Sequence, residues 1–444
     1  MEINLDKFKL TDQKKEALET IINSKDNVFV TGEAGSGKTY LLNVLQDIYE
    51  DKSITVAPTG VAALNAGGVT IHRALKLPVE PYKPTFVRGV SMSMLKSYPL
   101  NDEEQLILKK LDILIIDEIS MVRADVMDAM NDALCWYRQN KSPFGGVRLI
   151  MFGDIYQLSP VTRDEDWGAV SKFYETPYFF SSKALNINKF IKINLSENFR
   201  QEDSKFKDIL NKVRVGDKSQ NLVDEINEMY IHLKPEQDYS DHIVLTSTNN
   251  EAEVINKQKL DALDGEKFLF NASLYPSNID TKRFPLIPNL ELKIGAKIMT
   301  IVNDTKHDKF VNGTIGVLTD IIEDPITGGD VLVMNDNIYI EKNTWEDVRF
   351  VYVKSDNVIK REVVGKVSQF PVKLAYAITI HKSQGLTFDK VAVDLSRSFA
   401  HGQVYVALSR CRTMEGTALL ERLYPRHIIC DKKLSLIDKS IKQP

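Results

Sequence analysis

The stretch GEAGSGKT at residues 32–39 constrains this chain more than any other. The apolar run NVFVT precedes it, and KTYLLNVLQDIY follows with apolar residues at helical spacing. Strand, glycine-rich turn and helix in that order make a phosphate-binding loop. Every fixed position of GxxxxGK[ST] is present: Gly32, Gly37, Lys38 and Thr39. The loop, with Ala34, Gly35 and Ser36 between the fixed positions, lets consecutive backbone N–H groups point at phosphate oxygens. Lys38 is expected to reach the β and γ phosphates, and the Thr39 hydroxyl to ligate Mg²⁺. The expected ligands are therefore ATP and Mg²⁺.

Such a loop belongs in an α/β fold, and the chain repeats the pattern. SITVAPTG (53–60), LDILIIDE (111–118), VRLIMFGD (147–154) and FIKINLSENFR (190–200) each begin as an apolar strand. Near-continuous apolar runs read as buried parallel strands. Right-handed crossovers then bring the loops after the strands to one edge of the sheet. HIVLTSTNNEAEVINKQKL (242–260) restarts the strand–turn–helix pattern, so a second α/β unit is expected. Two stretches break the pattern. PVEPYKPTFVRGVSMS, after residue 77, reads as an inserted hairpin or small subdomain. Short alternating strands with Gly, Asn and Asp turns over 285–365 read as a small β-barrel-like insertion.

The acids and arginines fit phosphoryl transfer. Asp117 ends a buried strand and is expected to hold Mg²⁺ through water, with Glu118 as the base that polarises the attacking water. In FGDIYQLSP, Gln157 could sense the γ-phosphate and Asp154 could orient its neighbours. Arg200 and Arg410 fall in the second half, where an arginine finger can be worth roughly 10³–10⁵ in rate. Each of the two can also be an ordinary solvated arginine.

Composition restricts the partners. The 444 residues, 43% hydrophobic and 27% charged, suit a soluble protein of about three domains. The net charge is −4, so any groove for nucleic acid must be local. Cys135, Cys411 and Cys430 are odd in number and widely spaced, so no disulfide framework or zinc site is expected. No stretch reaches about 18 apolar residues, and the N-terminus lacks an apolar h-region, so no membrane partner is expected. The expected location is the cytoplasm, or the nucleus in a eukaryote.

Nine short motifs in order resemble superfamily 1 DNA helicases. They are LTDQ, GEAGSGKT, APTGVAALN, TIH, IIDEISM, GDIYQLSP, ENFRQ, HKSQGLTFD and QVYVALSR. Within that superfamily they resemble the RecD-like branch and its Pif (petite integration frequency) family. DEISMV followed by RADVMDAMNDALCWYRQ is similar to that family's extra signature. The resemblance covers roughly residues 10–415.

The resemblance implies two RecA-like domains, the first over 1–72 and 106–190 and the second over 191–284 and 366–444. It implies a wedge insertion at 73–105 and an SH3-like β insertion at 285–365. Gln13 should read the adenine edge, Arg200 and Arg410 should be γ-phosphate arginines, and Gln384 and Gly385 should contact both nucleotide and DNA. Family members move 5′ to 3′ on single-stranded DNA and unwind forked duplexes, RNA–DNA hybrids and often G-quadruplexes. Replication, repair, recombination and telomere maintenance are the implied roles. The implied setting is the nucleoid in a bacterium or phage, and the nucleus or mitochondrion in a eukaryote. The chain lacks the long extensions of larger relatives and reads as a bare, monomeric motor core.

A motor of this kind grips DNA with both halves. Pro58, Thr59, Gly60, Thr70 and His72 are the candidates on the first. Thr246, Asn249, Thr379, His381, Lys382 and Ser383 are those on the second. Neutral donors suit phosphate contacts that are made and broken at each step. His72 and His381 can equally be structural hydrogen-bonders. Tyr82, Pro84 and Phe86 can be the local core of the first insertion or a wedge that stacks on bases. Three rival readings are an RNA helicase, a nucleotide-dependent switch that binds nucleic acid without unwinding, and a noncatalytic subunit. The intact set Lys38, Asp117, Glu118, Arg200 and Arg410 weighs against the last.

Overall fold

The computed structural model describes residues 7–78, 80–84, 100–160, 164–197, 203–233, 239–281, 284–304, 309–325, 328–353, 355–356, 358–395, 398 and 400–442. The chain forms two compact units. The first comprises Met1–Phe199, Val348–Val364 and Asp431–Pro444, the second Arg200–Asp347 and Gly365–Cys430.

The first unit opens with α1 (Asp12–Asn23), β1 (Asn27–Gly32), α2 (Lys38–Ile48), β2 (Ser53–Ala57), α3 (Gly60–Asn65), β3 (Val69–Thr70) and α4 (Ile71–Leu75). Strands β4 (Ile113–Ile116), β5 (Arg148–Gly153) and β6 (Phe190–Leu195) complete one parallel sheet, in the order β3-β2-β4-β5-β1-β6. β1, β2 and β4 are buried along their whole length, which accounts for their lack of polar alternation. Leu18 and Ile21 of α1 and Leu41 and Leu45 of α2 pack on Val28, Val30 and Phe152 of the sheet. The chain passes from β1 over two strand positions to β2. The loops after β4, β5 and β1 therefore lie side by side at the carboxyl edge, with those after β2 and β3 next to them.

Three segments depart from the boundaries expected from sequence. β6 pairs with β1 from Asn27↔Phe190 to Gly32↔Leu195, so the first sheet runs past residue 190. The C-terminal tail also belongs to this unit. Lys442 N–H donates to the Phe190 carbonyl at 2.8 Å, and Lys439 pairs with Glu175 at 2.9 Å. Residues 348–364 join it too, through Ile359 N–H to the Asp51 carbonyl at 3.3 Å and Lys110 over the Tyr352 ring. In each case the chain returns to an early partner, which a local pattern does not encode.

The expected hairpin within 73–105 lies largely outside the described residues, as does Phe86. Tyr82 is 1% exposed, and its hydroxyl donates to Asp132 at 2.7 Å. Its N–H donates to Asp125 at 2.9 Å. Tyr82 is therefore core against the helix Ala124–Arg138 and is not a stacking wedge.

The second unit has a smaller parallel sheet. It contains β7 (Ile243–Thr246) and then an insertion. The insertion comprises β8 (Phe268–Phe270), β9 (Ser273–Tyr275), β10 (Leu290–Leu292), β11 (Lys297–Thr300), β12 (Ile315–Glu323), β13 (Asp330–Met334), β14 (Ile338–Ile340), the start of β15 (Asn343–Val353), the end of β16 (Val358–Gln369) and β17 (Val372–Leu374), residues 348–364 between them belonging to the first unit. β18 (Ala377–Thr379), β19 (Val391–Val393) and β20 (Thr417–Leu419) close the parallel sheet in the order β18-β7-β19-β20. The insertion is wider than 285–365. Its main sheet, β14-β13-β12-β11-β17, is antiparallel and encloses its own core of Leu292, Ile298, Leu318, Leu332 and Val372.

Candidate nucleotide and nucleic-acid sites

The glycine-rich loop after β1 has the backbone its glycines permit. Gly35 and Gly37 adopt left-handed φ values of 87° and 83°. A Cβ at Gly32 would lie 2.5 Å from the Leu195 carbonyl oxygen. Lys38 curls back so that its ammonium donates to the carbonyls of Gly32 at 2.8 Å and Glu33 at 2.9 Å. The Ser36 hydroxyl is buried and has no hydrogen-bond partner among the described residues. A buried donor without an acceptor is costly, and a phosphate oxygen is the acceptor this loop is shaped to receive. The residues present therefore fit a nucleotide. Thr39 follows on the exposed first turn of α2.

Asp117 lies just past β4, and its N–H donates to the Val56 carbonyl of β2 at 2.9 Å. Its carboxylate accepts the Glu118 N–H at 2.9 Å. Burial raises its pKa, while that N–H and the charge of Lys38 oppose the rise. The lysine of the loop and the acid of β4 therefore act on one another. Glu118 has φ 49° and ψ 44°, a left-handed backbone that a side chain with a Cβ rarely adopts. Strain of this kind gathers at functional positions. Asp154, 1% exposed, accepts the Tyr156 N–H at 3.1 Å and the Gln157 side-chain amide at 3.4 Å. It thus orients Gln157, as expected of it.

Gln13 has both ends of its amide bound. Its Nε2 donates to Ser196 Oγ at 2.8 Å, and its Oε1 accepts the N–H groups of Ser196 at 3.0 Å and Glu197 at 3.2 Å. The family resemblance assigns this residue to the adenine edge. Two residues escaped the sequence reading here. Lys14 is buried against Gly37, where a Cβ would come 2.6 Å from its Cε, and it pairs with Glu197 at 3.3 Å. Thr11 donates to the same Glu197 carboxylate, and these contacts hold it below the usual carboxylate range. Arg200, three residues further on, lies outside the described residues.

The candidate DNA residues converge in two places. In the first unit Thr70 neighbours Ala57 across β2 and β3, two residues before Thr59. Thr59 Oγ1 accepts the Ala62 N–H at 3.2 Å, and Thr70 Oγ1 accepts the Arg73 N–H at 3.3 Å. Both are helix N-caps. Capping uses a lone pair, and each hydroxyl keeps its hydrogen to donate. Pro58 and Gly60 flank Thr59 and are half-buried. Burial and then the Arg123 charge lower the pKa of His72, which favours the neutral imidazole. Arg123 is itself fixed by two hydrogen bonds to Asp125, at 2.8 and 2.6 Å.

In the second unit Thr379 stands opposite Thr246 at the ends of β18 and β7. Thr379 Oγ1 accepts the Lys382 N–H at 3.2 Å and closes the turn, while Lys382 and Asn249 are exposed. Three residues differ from expectation. Ser383 is fully buried, and its hydroxyl donates to the Ile380 carbonyl at 2.8 Å. Thr246 is buried and donates to the Thr248 carbonyl at 3.0 Å. Arg410 is 1% exposed. Its guanidinium donates to the carbonyls of Val406 at 2.8 Å, Ser383 at 3.3 Å and Leu386 at 3.2 Å, and to Ser409 Oγ at 2.9 Å. Ser383 and Arg410 shape the turn from within, and Thr246 fixes the chain just after β7. Gln384 is half-buried and Gly385, with φ 82°, exposed, while burial lowers the pKa of His381.

The comparisons agree with this geometry. The family model described as PIF1-like helicase matches residues 9–224. The ATP-dependent DNA helicase Pif1 of Bdellovibrio bacteriovorus is 33% identical over 440 residues, covering 96% of this chain and 91% of that protein. The chain belongs to the PIF1-like helicase family. It is an ATP-dependent DNA helicase. Bacteroides sp Pif1 in complex with ADP-AlF4 superposes with a TM-score of 0.85 at 35% identity, covering 97% of this chain and 96% of that one. Bacteroides Pif1 bound to ssDNA gives 0.66 at 34% identity, covering 97% and 96%. The two parallel-sheet units are thus the RecA-like pair of a PIF1-like helicase.

Proposed function

We propose that this PIF1-like helicase translocates 5′ to 3′ on single-stranded DNA, powered by MgATP, and opens forked duplexes. One observation carries the reading. Asp117 is hydrogen-bonded to Val56, two residues before the Pro58-Thr59-Gly60 turn. The nucleotide acid and a DNA-facing turn thus share one peptide-to-peptide link. A change at the phosphates has a short route to the strand.

Lys38 holds the β and γ phosphates, Thr39 and Asp117 hold Mg²⁺, and Glu118 polarises water aligned by Gln157. Among the described residues no three His, Cys, Asp or Glu side chains form a metal group. Mg²⁺ needs none, because it binds through one or two protein ligands plus water and phosphate. When bound, MgATP supplies the γ-phosphoryl group whose loss drives the cycle. Thr59 and Thr70 donate to backbone phosphates from the first unit, and Lys382 and Asn249 contact them from the second. The family resemblance extends the substrates to RNA–DNA hybrids and G-quadruplexes and favours a monomeric, nucleoid- or nucleus-associated motor. Among the described residues, no helix is long and apolar enough to cross a membrane.

ATPase activity with and without single-stranded DNA tests the assignment. Strong stimulation in the wild type and its absence in Lys38→Ala are expected. Stimulation that persists in Lys38→Ala would overturn it.

A further inference from the structure

We propose that Lys14 is a positioning residue for ATP hydrolysis: paired with Glu197, it holds the Gly37 end of the phosphate loop against the segment that leaves β6. This deepens the proposed assignment of the loop to the ATP phosphates and rests on it. The loop is held at both of its outer glycines. Gly32 pairs with Leu195 at the end of β6, and a Cβ there would lie 2.5 Å from the Leu195 carbonyl oxygen. At Gly37 the neighbour is Lys14 of α1. A Cβ on Gly37 would come 2.6 Å from Lys14 Cε and 3.2 Å from its Nζ, so the lysine stem fills the space the glycine leaves open. Lys14 is buried on the same face of α1 as Ala17, Leu18 and Ile21. Its ammonium reaches Glu197, two residues past Leu195, at 3.3 Å. Glu197 is itself fixed twice. Thr11 donates to its carboxylate at 2.5 Å, and Gln13 Oε1 accepts its N–H at 3.2 Å. A direct contact at one glycine and a lysine–glutamate bridge at the other thus tie the loop to one short segment, 195–197.

If packing were its only purpose, a lysine would be an unfavourable choice for this space. Desolvating an ammonium opposes folding, and a hydrophobic side chain of similar volume in place of a buried ion pair is often neutral or stabilising. What the charge adds is direction. The ammonium is drawn to a carboxylate that the protein holds in place, and the stem is thereby kept on Gly37. The consequence falls on the two residues that flank Gly37. Lys38 opens α2, and the Ser36 hydroxyl is buried without a partner among the described residues. Both are to meet phosphate oxygens, and a displacement of about 1 Å at a reacting group can cost about 10²-fold in rate. Lys14 acts through the loop backbone and needs no contact with the nucleotide.

The test is steady-state ATPase at saturating oligothymidylate, with thermal melts, for wild type, Lys14→Met, Glu197→Gln and the double variant. Lys14→Met keeps an unbranched stem over Gly37 and loses the charge, and the Glu197 side chain, 34% exposed, can turn to water. Its melting temperature is expected to match or exceed that of wild type. Its kcat is expected to fall roughly tenfold, with KM for ATP changed by less than about twofold. Glu197→Gln should lower kcat similarly and melt lower, because the buried ammonium loses its carboxylate. The double variant should keep the kcat of Lys14→Met, since both single changes remove the same interaction. If Glu197→Gln does not fold, the double variant takes its place. Loss of kcat in Lys14→Met alone, losses that multiply in the double variant, or shifted melting with unchanged kcat would each overturn the proposal. So would a rise in KM with kcat unchanged. Lys38→Ala is measured alongside, and activity retained there would show that the underlying loop assignment fails, whatever the Lys14 variants do.

Discussion

The guanidinium of Arg410 donates to the carbonyl of Ser383, 27 residues earlier in the chain. The same group reaches Leu386, so Arg410 spans the Ser-Gln-Gly turn from inside. An arginine fork fits this role and a lysine does not. Arg410→Lys is expected to loosen the turn and weaken single-strand binding roughly tenfold, as expected when a buried hydrogen-bonded group is disrupted. ATPase should fall with it. Binding assays on the purified variant decide the point. Unchanged DNA affinity with lost ATPase would leave Arg410 a charge donor and nothing more.

Asp117 carries an opposition between stability and function. Its pKa in the folded state is raised by burial, so the folded protein takes up a proton more readily than the unfolded chain. The ionised carboxylate therefore lowers stability at neutral pH, and the cost fades as pH falls through the raised value toward the ordinary one. Asp117→Asn keeps an oxygen to accept the Glu118 N–H. It is expected to melt at or above the wild-type temperature at pH 7–8, with the difference shrinking in acid. ATPase should drop by at least about 10²-fold. Melting curves at several pH values, paired with ATPase, test both halves.

Thr59 performs two tasks with one hydroxyl, and substitution can separate them. Thr59→Asn retains a side-chain acceptor for the Ala62 N–H and should hold stability. Thr59→Ala loses the cap and should cost about 1 kcal/mol. Both should weaken binding to single-stranded DNA, since both remove the hydroxyl hydrogen. Denaturant melts and DNA titrations on the pair distinguish capping from contact.

Gln13 fixes the end of β6 through two backbone N–H groups. Gln13→Ala should cost about 1–3 kcal/mol for the three bonds lost and raise KM for ATP. Gln13→Glu can still accept both. Hydrogen exchange at the Ser196 and Glu197 amides should accelerate in the first variant and stay slow in the second.

The nucleotide side of this molecule is legible in the sequence because its chemistry is local. GEAGSGKT carries its own strand, turn and helix, and LIIDE carries its own buried strand end. The DNA side is less legible. A threonine in PTG or TIH looks the same whether it caps a helix or meets a phosphate, and here it can do both. Ser383 and Arg410 are polar in sequence yet buried, because the turn they shape folds over them. β6 and the C-terminal tail join the first sheet through pairing with β1 and with Phe190, contacts no local window contains.

Unwinding of a labelled duplex bearing a single-stranded tail at either the 5′ or the 3′ end, with ATP and Mg²⁺, tests the central claim most directly. The account predicts unwinding of the 5′-tailed substrate and little of the 3′-tailed one. Preference for the 3′ tail, or ATP hydrolysis with neither duplex opened, would contradict it.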